Sequence, residues 1–298
     1  MSPVVDPDAY TKAECITKSC FRDIYPAVDP SNKELAQTGK VSIITGGGRG
    51  LGVAIALAHA KAGVKGLVLA GRSILGLERT KEAILKESPT IDVLCVVTDI
   101  SNEKSVTDLY AEVKSHFGTA DTLINNAGVL TLPSDTIEKA SSTLWWKDFE
   151  INVKGTFLVT AGFLRLIKET KPPAPTIVNL TSIVNAAPPS FSSYFTSKIA
   201  VVKFTEFIAA ENPEVVAYSV SPGTCETDMT LDIFRPYAKD TPALTGAVLV
   251  YLAARRPEYL NGQHLVVNWD VEELELRNNE LGNSDALKLR VLRPQSSD

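Results

Sequence analysis

Short apolar runs alternate along the chain with longer segments in which apolar residues recur at helical spacing. We expect the apolar runs to form buried strands, because strands covered by helices on both faces lack the polar alternation of half-exposed strands. The predicted strands are 41–45, 67–70, 91–97, 122–124, 176–183, 215–220 and 262–267. The predicted helices are 53–58, a segment that begins after Ser101 or Asn102, 145–168, 194–210 and 244–254. This order predicts a single α/β domain with three αβα layers, in which a doubly wound, mostly parallel sheet lies between helices.

Two terminal segments fall outside this alternation. Residues 1–39 contain four prolines and show no sustained apolar period. We expect them to form an N-terminal extension that wraps the domain surface or is partly disordered. The α/β domain then covers residues 40–268, and residues 269–298 form a highly charged C-terminal extension.

A glycine-rich turn follows the first predicted strand. Residues 46–52 read Gly-Gly-Gly-Arg-Gly-Leu-Gly and lead into an alanine-rich helix. Glycines let the backbone approach a pyrophosphate closely, and the N-terminus of the helix directs its free N–H groups and the positive end of its dipole at the anion. The context of strand, turn and helix therefore predicts a dinucleotide site.

The end of the second strand bears on which dinucleotide binds. In an NAD site, an acidic residue at this place would bind the ribose hydroxyls. Here Gly71 occupies the position and Arg72 follows it, while Arg49 lies within the glycine-rich turn. The two arginines are either ligands of a 2′-phosphate or solvated surface residues. The missing acid favours NADP(H).

Tyr194 and Lys198 are four residues apart, which places both side chains on one face of the predicted helix. An ammonium group beside a phenol favours the phenolate, so we expect the pKa of Tyr194 to fall below its usual value of about 10. A pKa near about 7 would require about 4 kcal/mol. One lysine does not supply that much, which implies a second cation. Alone, the pair is also compatible with two residues that share a helix face by chance.

Six motifs in order along residues 40–268 resemble those of the short-chain dehydrogenase/reductase family. They are the glycine-rich turn, Asp99, Asn-Asn-Ala-Gly at 125–128, Ser182, Tyr-x-x-x-Lys at 194–198 and Pro-Gly at 222–223. The resemblance, which extends to the longer fungal members, implies a Rossmann fold and an NADP(H)-dependent oxidoreductase. The substrate would be a small carbonyl compound or secondary alcohol. A lyase or isomerase on the same fold and a non-catalytic NADP-binding protein are the alternatives.

The resemblance also implies roles for individual residues. The implied catalytic residues are Asn152, Ser182, Tyr194 and Lys198. The implied cofactor-binding residues are Gly46, Gly48, Arg49, Gly50, Leu51, Gly52, Arg72, Asp99, Ile100, Asn126, Ala127, Gly128, Tyr194, Lys198, Pro222, Gly223 and Thr227. Ser182 precedes Tyr194 by twelve residues, one fewer than the usual family spacing, so Thr181 is the alternative hydroxyl.

The substrate pocket would be formed by residues 129–143, 183–193 and 225–243, which carry the fewest recognisable motifs. Residues 229–239 are expected to be a mobile substrate loop. Three aromatic residues could line the pocket or belong to the core, namely Trp145, Trp146 and Phe234. By analogy with the family, helices 145–168 and 194–210 would pair across a two-fold axis in a homodimer or homotetramer.

Composition and charge narrow the class of protein further. The net charge of −5 predicts no nucleic-acid partner, and the absence of a long apolar stretch predicts no membrane association. The N-terminus lacks a secretory pattern, and the four cysteines and three histidines show no metal-ligand spacing. We therefore expect a cytoplasmic protein with reduced cysteines and no bound metal.

Overall fold

Seven parallel strands form the centre of the protein in the computed structural model, which describes residues 6–184 and 187–291. The strands are β1 (Val41–Thr45), β2 (Gly66–Gly71), β3 (Asp92–Val97), β4 (Thr122–Asn125), β5 (Thr176–Leu180), β6 (Val216–Ser221) and β7 (His264–Val266). Their order in the sheet is β3-β2-β1-β4-β5-β6-β7. The order reverses direction between β1 and β4, which is where ligands bind in open sheets of this kind. The predicted doubly wound α/β fold is confirmed.

Helices cover both faces of this sheet. They are α1 (Ala9–Glu14), α2 (Leu51–Lys61), α3 (Ile74–Glu87), α4 (Glu103–Phe117), α5 (Ser142–Phe149), α6 (Thr156–Thr170), α7 (Ser192–Glu211), α8 (Pro242–Arg255), α9 (Val271–Leu276) and α10 (Asn278–Gly282). Residues of α2, α3 and α8 share one hydrophobic core with one face of the sheet, and α4, α6 and α7 share a second core with the other face.

The strands are apolar on both sides because both of their faces are covered. Successive side chains of a strand point to opposite faces, so Ile43 packs among α4, α6 and α7 while Ile44 packs among α2, α3 and α8. Both side chains are fully buried. The continuous apolar runs in the sequence therefore reflect the two-sided burial that the pattern predicted.

Two element boundaries differ from those predicted. The predicted strand 176–183 ends at Leu180, whose partner Val220 closes the ladder with β6, so Thr181 and Ser182 lie in the loop beyond the strand. The predicted helix 145–168 is three consecutive segments, in which a π-helical turn (Glu150–Gly155) joins α5 to α6. Single π turns inside α-helices often occur at functional sites.

The described part of the N-terminal extension packs along the domain. After α1, two short 3₁₀ helices (Pro26–Val28 and Lys33–Leu35) place Tyr25, Val28 and Leu35 in the core beside α2 and α8. Of the two expectations for this segment, residues 6–39 follow the first and wrap the domain. The first five residues lie outside the described range.

The C-terminal segment is charged, but it also has an apolar side. Trp269, Leu274 of α9 and Leu281 of α10 are all buried in the same core as α8. The first part of this segment therefore packs on the domain as two short helices, each with a buried leucine. Its apolar positions span too few residues to be recognised as a helical pattern among the many charged residues.

The prediction of four reduced cysteines is wrong for Cys15 and Cys20. The structure joins these two residues as a disulfide with their Cα atoms 6.4 Å apart, because the chain turns back on itself after α1. Cys95 and Cys225 are free thiols, and burial raises the pKa of each, to about 11 and about 12. Among the helices in the two described ranges, none combines the length and hydropathy needed to cross a bilayer.

Candidate active site

A cavity of about 690 Å³ opens at the carboxyl ends of the parallel strands. Its wall combines the glycine-rich turn after β1, the segment after β2, the segment after β4 and the N-terminal part of α7. Every residue that the sequence assigned to catalysis or cofactor binding lines this cavity, except Gly52 and Asn152, which lie directly behind the wall.

The side chains of Ser182 and Tyr194 both lie in this wall, and the Ser182 hydroxyl is near enough to the phenol to influence its pKa. Lys198 follows one helical turn after Tyr194, and its ammonium nitrogen lies 5.8 Å from the centre of the tyrosine ring. The same nitrogen donates a hydrogen bond of 3.0 Å to the carbonyl of Leu180, the last residue of β5. Thr181, the alternative to Ser182, is buried with its hydroxyl unpartnered among the described residues. Of the two residues, Ser182 is the one whose hydroxyl acts on the pKa of the Tyr194 phenol.

Burial controls the proton affinities of these groups. It raises the pKa of the Tyr194 phenol, and the neighbouring Ser182 hydroxyl opposes that rise. Burial also lowers the pKa of Lys198 to about 8. The fall of the Tyr194 pKa that the sequence predicted is therefore not found in the protein alone, because the cost of charging the phenol in this surrounding is the largest effect on its pKa.

Asn152 holds the site together from behind. It lies in the π-helical turn with only 1% of its surface exposed. Its side-chain carbonyl accepts a hydrogen bond from the N–H of Val129 at 2.8 Å, and its amide donates to the Val129 carbonyl and to the Ser197 hydroxyl. A Cβ atom added at Gly128 would lie 3.2 Å from both the Asn152 carbonyl oxygen and the Lys198 nitrogen. Asn152 thus fixes the segment after β4 against α7.

The glycine-rich turn is shaped for a close backbone approach. Gly46 and Gly50 have φ angles of +67° and +54°, which side chains other than glycine rarely adopt. A Cβ atom at Gly52 would collide with the backbone carbonyl of Gly46. The turn is held by Asn126, whose side-chain amide donates to the Thr45 carbonyl at 2.8 Å. The first turn of α2 therefore faces the cavity with open backbone N–H groups.

Three arginines line the cavity near the end of β2. Arg72 directly follows the strand, and its charge together with hydrogen bonds from Ser101 lowers the pKa of Asp99. Arg49 lies 3.6 Å from Asp228 in an exposed ion pair. Arg79, which the sequence analysis missed, reaches the cavity from α3. Its position two turns into a helix that starts just after Arg72 could have indicated it.

The sequence left open whether three aromatic residues line the cavity or belong to the core. Of the three aromatic candidates, only Phe234 lines the cavity, whereas Trp145 stacks on Phe149 and donates its indole N–H to Ser192. Tyr10 of α1 also lines the cavity. No motif pointed to Tyr10, because its role follows from how the N-terminal extension wraps the domain.

Comparison with known proteins assigns the chain to a family. The family model described as short chain dehydrogenase matches residues 40–238, which is well over half of the chain. The protein therefore belongs to the short chain dehydrogenase family, whose members are oxidoreductases that bind a nicotinamide cofactor.

Curated fungal proteins are similar over nearly the whole chain. The short chain dehydrogenase pigC of Monascus ruber is 33% identical over 291 residues, which is 93% of this chain and 94% of that protein. The short chain dehydrogenase andI of Emericella variicolor is 31% identical over 294 residues, covering 95% of this chain and 98% of that protein.

Solved structures match a smaller share of the chain. The crystal structure of levodione reductase is 28% identical with a TM-score of 0.71, and it covers 77% of this chain and 96% of its own. The crystal structure of gox2181 is 25% identical with a TM-score of 0.71, and it covers 78% of this chain and 95% of its own. These structures therefore lack counterparts for about a fifth of the chain, most of which the fungal relatives match.

Proposed function

We propose that this protein is an NADP(H)-dependent oxidoreductase that transfers a hydride between the nicotinamide and a carbonyl group or secondary alcohol of a small organic substrate. One observation carries the proposal. The Ser182 and Tyr194 hydroxyls and the Lys198 ammonium lie together in the wall of the cavity that the glycine-rich turn also lines. The two hydroxyl groups are suited to bind a substrate oxygen that gains or loses a proton during the reaction.

The cavity wall fits the proposed cofactor. The left-handed glycines and the start of α2 form a cradle that suits a pyrophosphate, because a side chain at Gly46 or Gly50 would be strained there. Gly71 leaves no carboxylate at the end of β2, where Arg72 and Arg79 line the cavity instead. Two guanidinium groups suit a 2′-phosphate, which supports a preference for NADP(H) over NAD(H).

The side chains of the site would handle the substrate oxygen and its proton. When bound, the nicotinamide would supply or accept the hydride. In the reductive direction, Ser182 donates a hydrogen bond to the substrate carbonyl oxygen as charge develops there. Tyr194 then donates its proton to the same oxygen, and in the oxidative direction it accepts that proton. Burial favours the neutral phenol, which suits Tyr194 as the acid for carbonyl reduction.

Lys198 and Asn152 would support this proton transfer. The pKa of Lys198, lowered by burial to about 8, allows the lysine to exchange a proton near neutral pH. One of its three N–H groups donates to the Leu180 carbonyl, which leaves two that would donate to ribose hydroxyls of the cofactor. Asn152 holds the backbone beside Lys198 in place and is proposed to bind the water that links the lysine to solvent.

We also propose that the protein forms a homodimer or homotetramer through α6 and α7. Phe157 on α6 is 51% exposed and packs on Phe204 of α7. Phe207, also on α7, is 55% exposed. A contiguous exposed aromatic surface is typical of a protein–protein interface. The cytoplasmic location expected from the sequence remains a prediction.

The decisive test is turnover of NADPH by the wild type and by Tyr194→Phe, followed by the absorbance of NADPH with a panel of ketones, diketones and aldehydes. Removing the Tyr194 hydroxyl should lower kcat by about 10²–10⁴-fold, while the Kd for NADPH changes little. Tyr259→Phe is the matched control, because its hydroxyl is buried without a partner among the described residues and lies outside the cavity. Equal activity of Tyr194→Phe and wild type would contradict the proposal. Substrate conversion without net NADPH consumption would point to a lyase or isomerase.

A further inference from the structure

The N-terminal extension forms part of the cavity wall beside the proposed substrate site. Tyr10 of α1 lines the cavity, as do Phe191 at the start of α7 and Phe234 in the loop before α8. The ring of Tyr10 meets that of Tyr237 at 4.7 Å between centres and that of Phe234 at 6.4 Å, both in edge-to-face arrangements. Phe234 and Phe191 are 5.6 Å apart. We call these four residues the aromatic rim.

The position of α1 is fixed by contacts at both of its ends. Arg22, which follows α1, donates to Asp8 at 2.6 Å and to Asp240 at 2.8 Å, and the side chain of Asp240 is fully buried. At the other end of the helix, the carbonyl of Glu14 accepts a hydrogen bond of 2.7 Å from the indole of Trp269. Tyr10 is therefore held in the wall by the fold and not by the rim alone.

The same contacts join the extension to the segment that the cofactor would use. Asp240 accepts hydrogen bonds from the N–H of Thr224 and from the side-chain amide of Asn268. Thr224 directly follows Gly223, a proposed cofactor-binding residue. The extension and the segment that contains the proposed cofactor-binding residue Gly223 thus share one buried carboxylate.

We propose that Tyr10 is a specificity-determining residue and that the substrate carries a planar aromatic group on the side of its carbonyl away from Ser182 and Tyr194. This inference rests on the proposed function. Ser182 and Tyr194 contribute hydroxyl groups to the cavity wall, and Tyr10, Phe191 and Phe234 contribute aromatic rings to it. Aromatic rings attract one another in edge-to-face and offset arrangements more strongly than their buried area alone accounts for. A flat ring that enters the rim would gain these contacts, whereas a methyl group would not.

The test uses a matched pair of substrates, diacetyl and its analogue in which a phenyl group replaces one methyl group. Both present the same dicarbonyl to the proposed acid, so their difference reports on the distal group. Tyr10→Ala should lower kcat/KM for the phenyl analogue by about 5- to 10-fold and for diacetyl by less than about 2-fold, as expected for the loss of an aromatic pair. Tyr10→Phe should keep the preference, because it keeps the ring.

Lys12→Ala is the matched control on the same helix, since the Lys12 side chain is 66% exposed and pairs only with the exposed Asp6 and Asp8. Lys12→Ala should leave kcat/KM unchanged for both substrates. Thermal melting and the Kd for NADPH show whether each variant is folded, and Tyr10→Leu replaces Tyr10→Ala if the alanine variant is not. Equal losses for the two substrates, or no loss for either, would overturn the assignment of Tyr10.

Calorimetric binding to the protein saturated with NADP⁺ separates this inference from the proposed function. The phenyl analogue should bind more tightly than diacetyl, and Tyr10→Ala should remove the difference. If the wild type binds with this preference but reduces neither compound, the proposed reaction fails while the role of Tyr10 stands. If the wild type reduces both compounds and Tyr10→Ala keeps the binding preference, the role of Tyr10 fails while the proposed reaction stands.

Discussion

A buried carboxyl group in the N-terminal extension should make the stability of the protein depend on pH. Glu14 is only 7% exposed, and one of its carboxylate oxygens has no hydrogen-bond partner among the described residues. Burial and the neighbouring Asp240 raise the pKa of Glu14 from an ordinary 4.5 to about 7, although the nearby backbone of Val184 opposes that rise. The folded protein therefore keeps a proton on Glu14 that the unfolded chain has lost.

The sign and the size of the effect follow from this difference in proton affinity. Between pH 4.5 and about 7 the folded state binds more protons than the unfolded state, so the free energy of unfolding falls as the pH rises. Below 4.5 both states are protonated at this residue, and above about 7 both are ionised. At about 1.36 kcal/mol for each tenfold change in proton affinity, the loss between about pH 5 and about pH 8 is about 2.5 kcal/mol.

Glu14→Gln should remove this loss, because glutamine has nearly the same shape and does not ionise. Urea denaturation of both proteins at about pH 5 and about pH 8 gives the free energies of unfolding. The free energy of unfolding of the glutamine variant, minus that of the wild type, should be about 2.5 kcal/mol larger at about pH 8 than at about pH 5. Comparing the proteins at each pH cancels the contributions of other titrating groups.

Glu112→Gln is the control, since Glu112 is exposed on α4, and it should follow the wild type at both pH values. If the gain of Glu14→Gln is below about 0.5 kcal/mol, the range of surface substitutions, the burial argument is refuted. A loss of stability at the higher pH would show that the ionised carboxylate is instead well paired in the folded protein.

Three further predictions concern the site and the assembly. Ser182→Ala should lower kcat by about 10-fold or more, and Thr181→Ala should be mild; steady-state kinetics that rank them the other way would reverse the assignment. Gly71→Asp combined with Arg72→Ile should weaken NADPH relative to NADH by about 10-fold or more in fluorescence titrations, because a charge-assisted contact is worth about 1.5–3 kcal/mol; an unchanged ratio would exclude Arg72 as the phosphate ligand. Light scattering should show at least a dimer, and Phe157→Asp should yield monomers; a monomeric wild type would refute the interface.

The elements of the fold could be predicted because each depends on a local pattern. The buried strands and the glycine-rich turn carry their own signals, since two-sided burial requires continuous apolar runs and the turn requires glycine at Gly46 and Gly50. The end of β5 could not be placed in the same way. The residues after Leu180, Thr-Ser-Ile, contain no glycine or proline that would end a strand, and only the end of the ladder with β6 shows that the strand stops at Leu180.

The parts of the site that were missed depend on contacts between distant segments. Tyr10 reaches the cavity because Arg22 and Trp269 fix α1, and no spacing within the extension reveals either contact. The direction of the Tyr194 pKa was predicted wrongly for the same reason. The effect of the lysine could be inferred from a four-residue spacing, whereas the burial of the phenol is contributed by the whole fold.

The contact between Arg22 and Asp240 also affects the order in which parts of the fold can form while the chain is synthesised. The two residues are 218 positions apart, and Glu14 and Trp269 are 255 positions apart. The extension leaves the ribosome first, but its partners are made after most of the sheet. Contacts of such long sequence separation are costly to close before the intervening chain is folded. The wall that carries Tyr10 is therefore among the last parts of the cavity to form, so a nascent chain that has already built the glycine-rich turn still lacks one side of its substrate site.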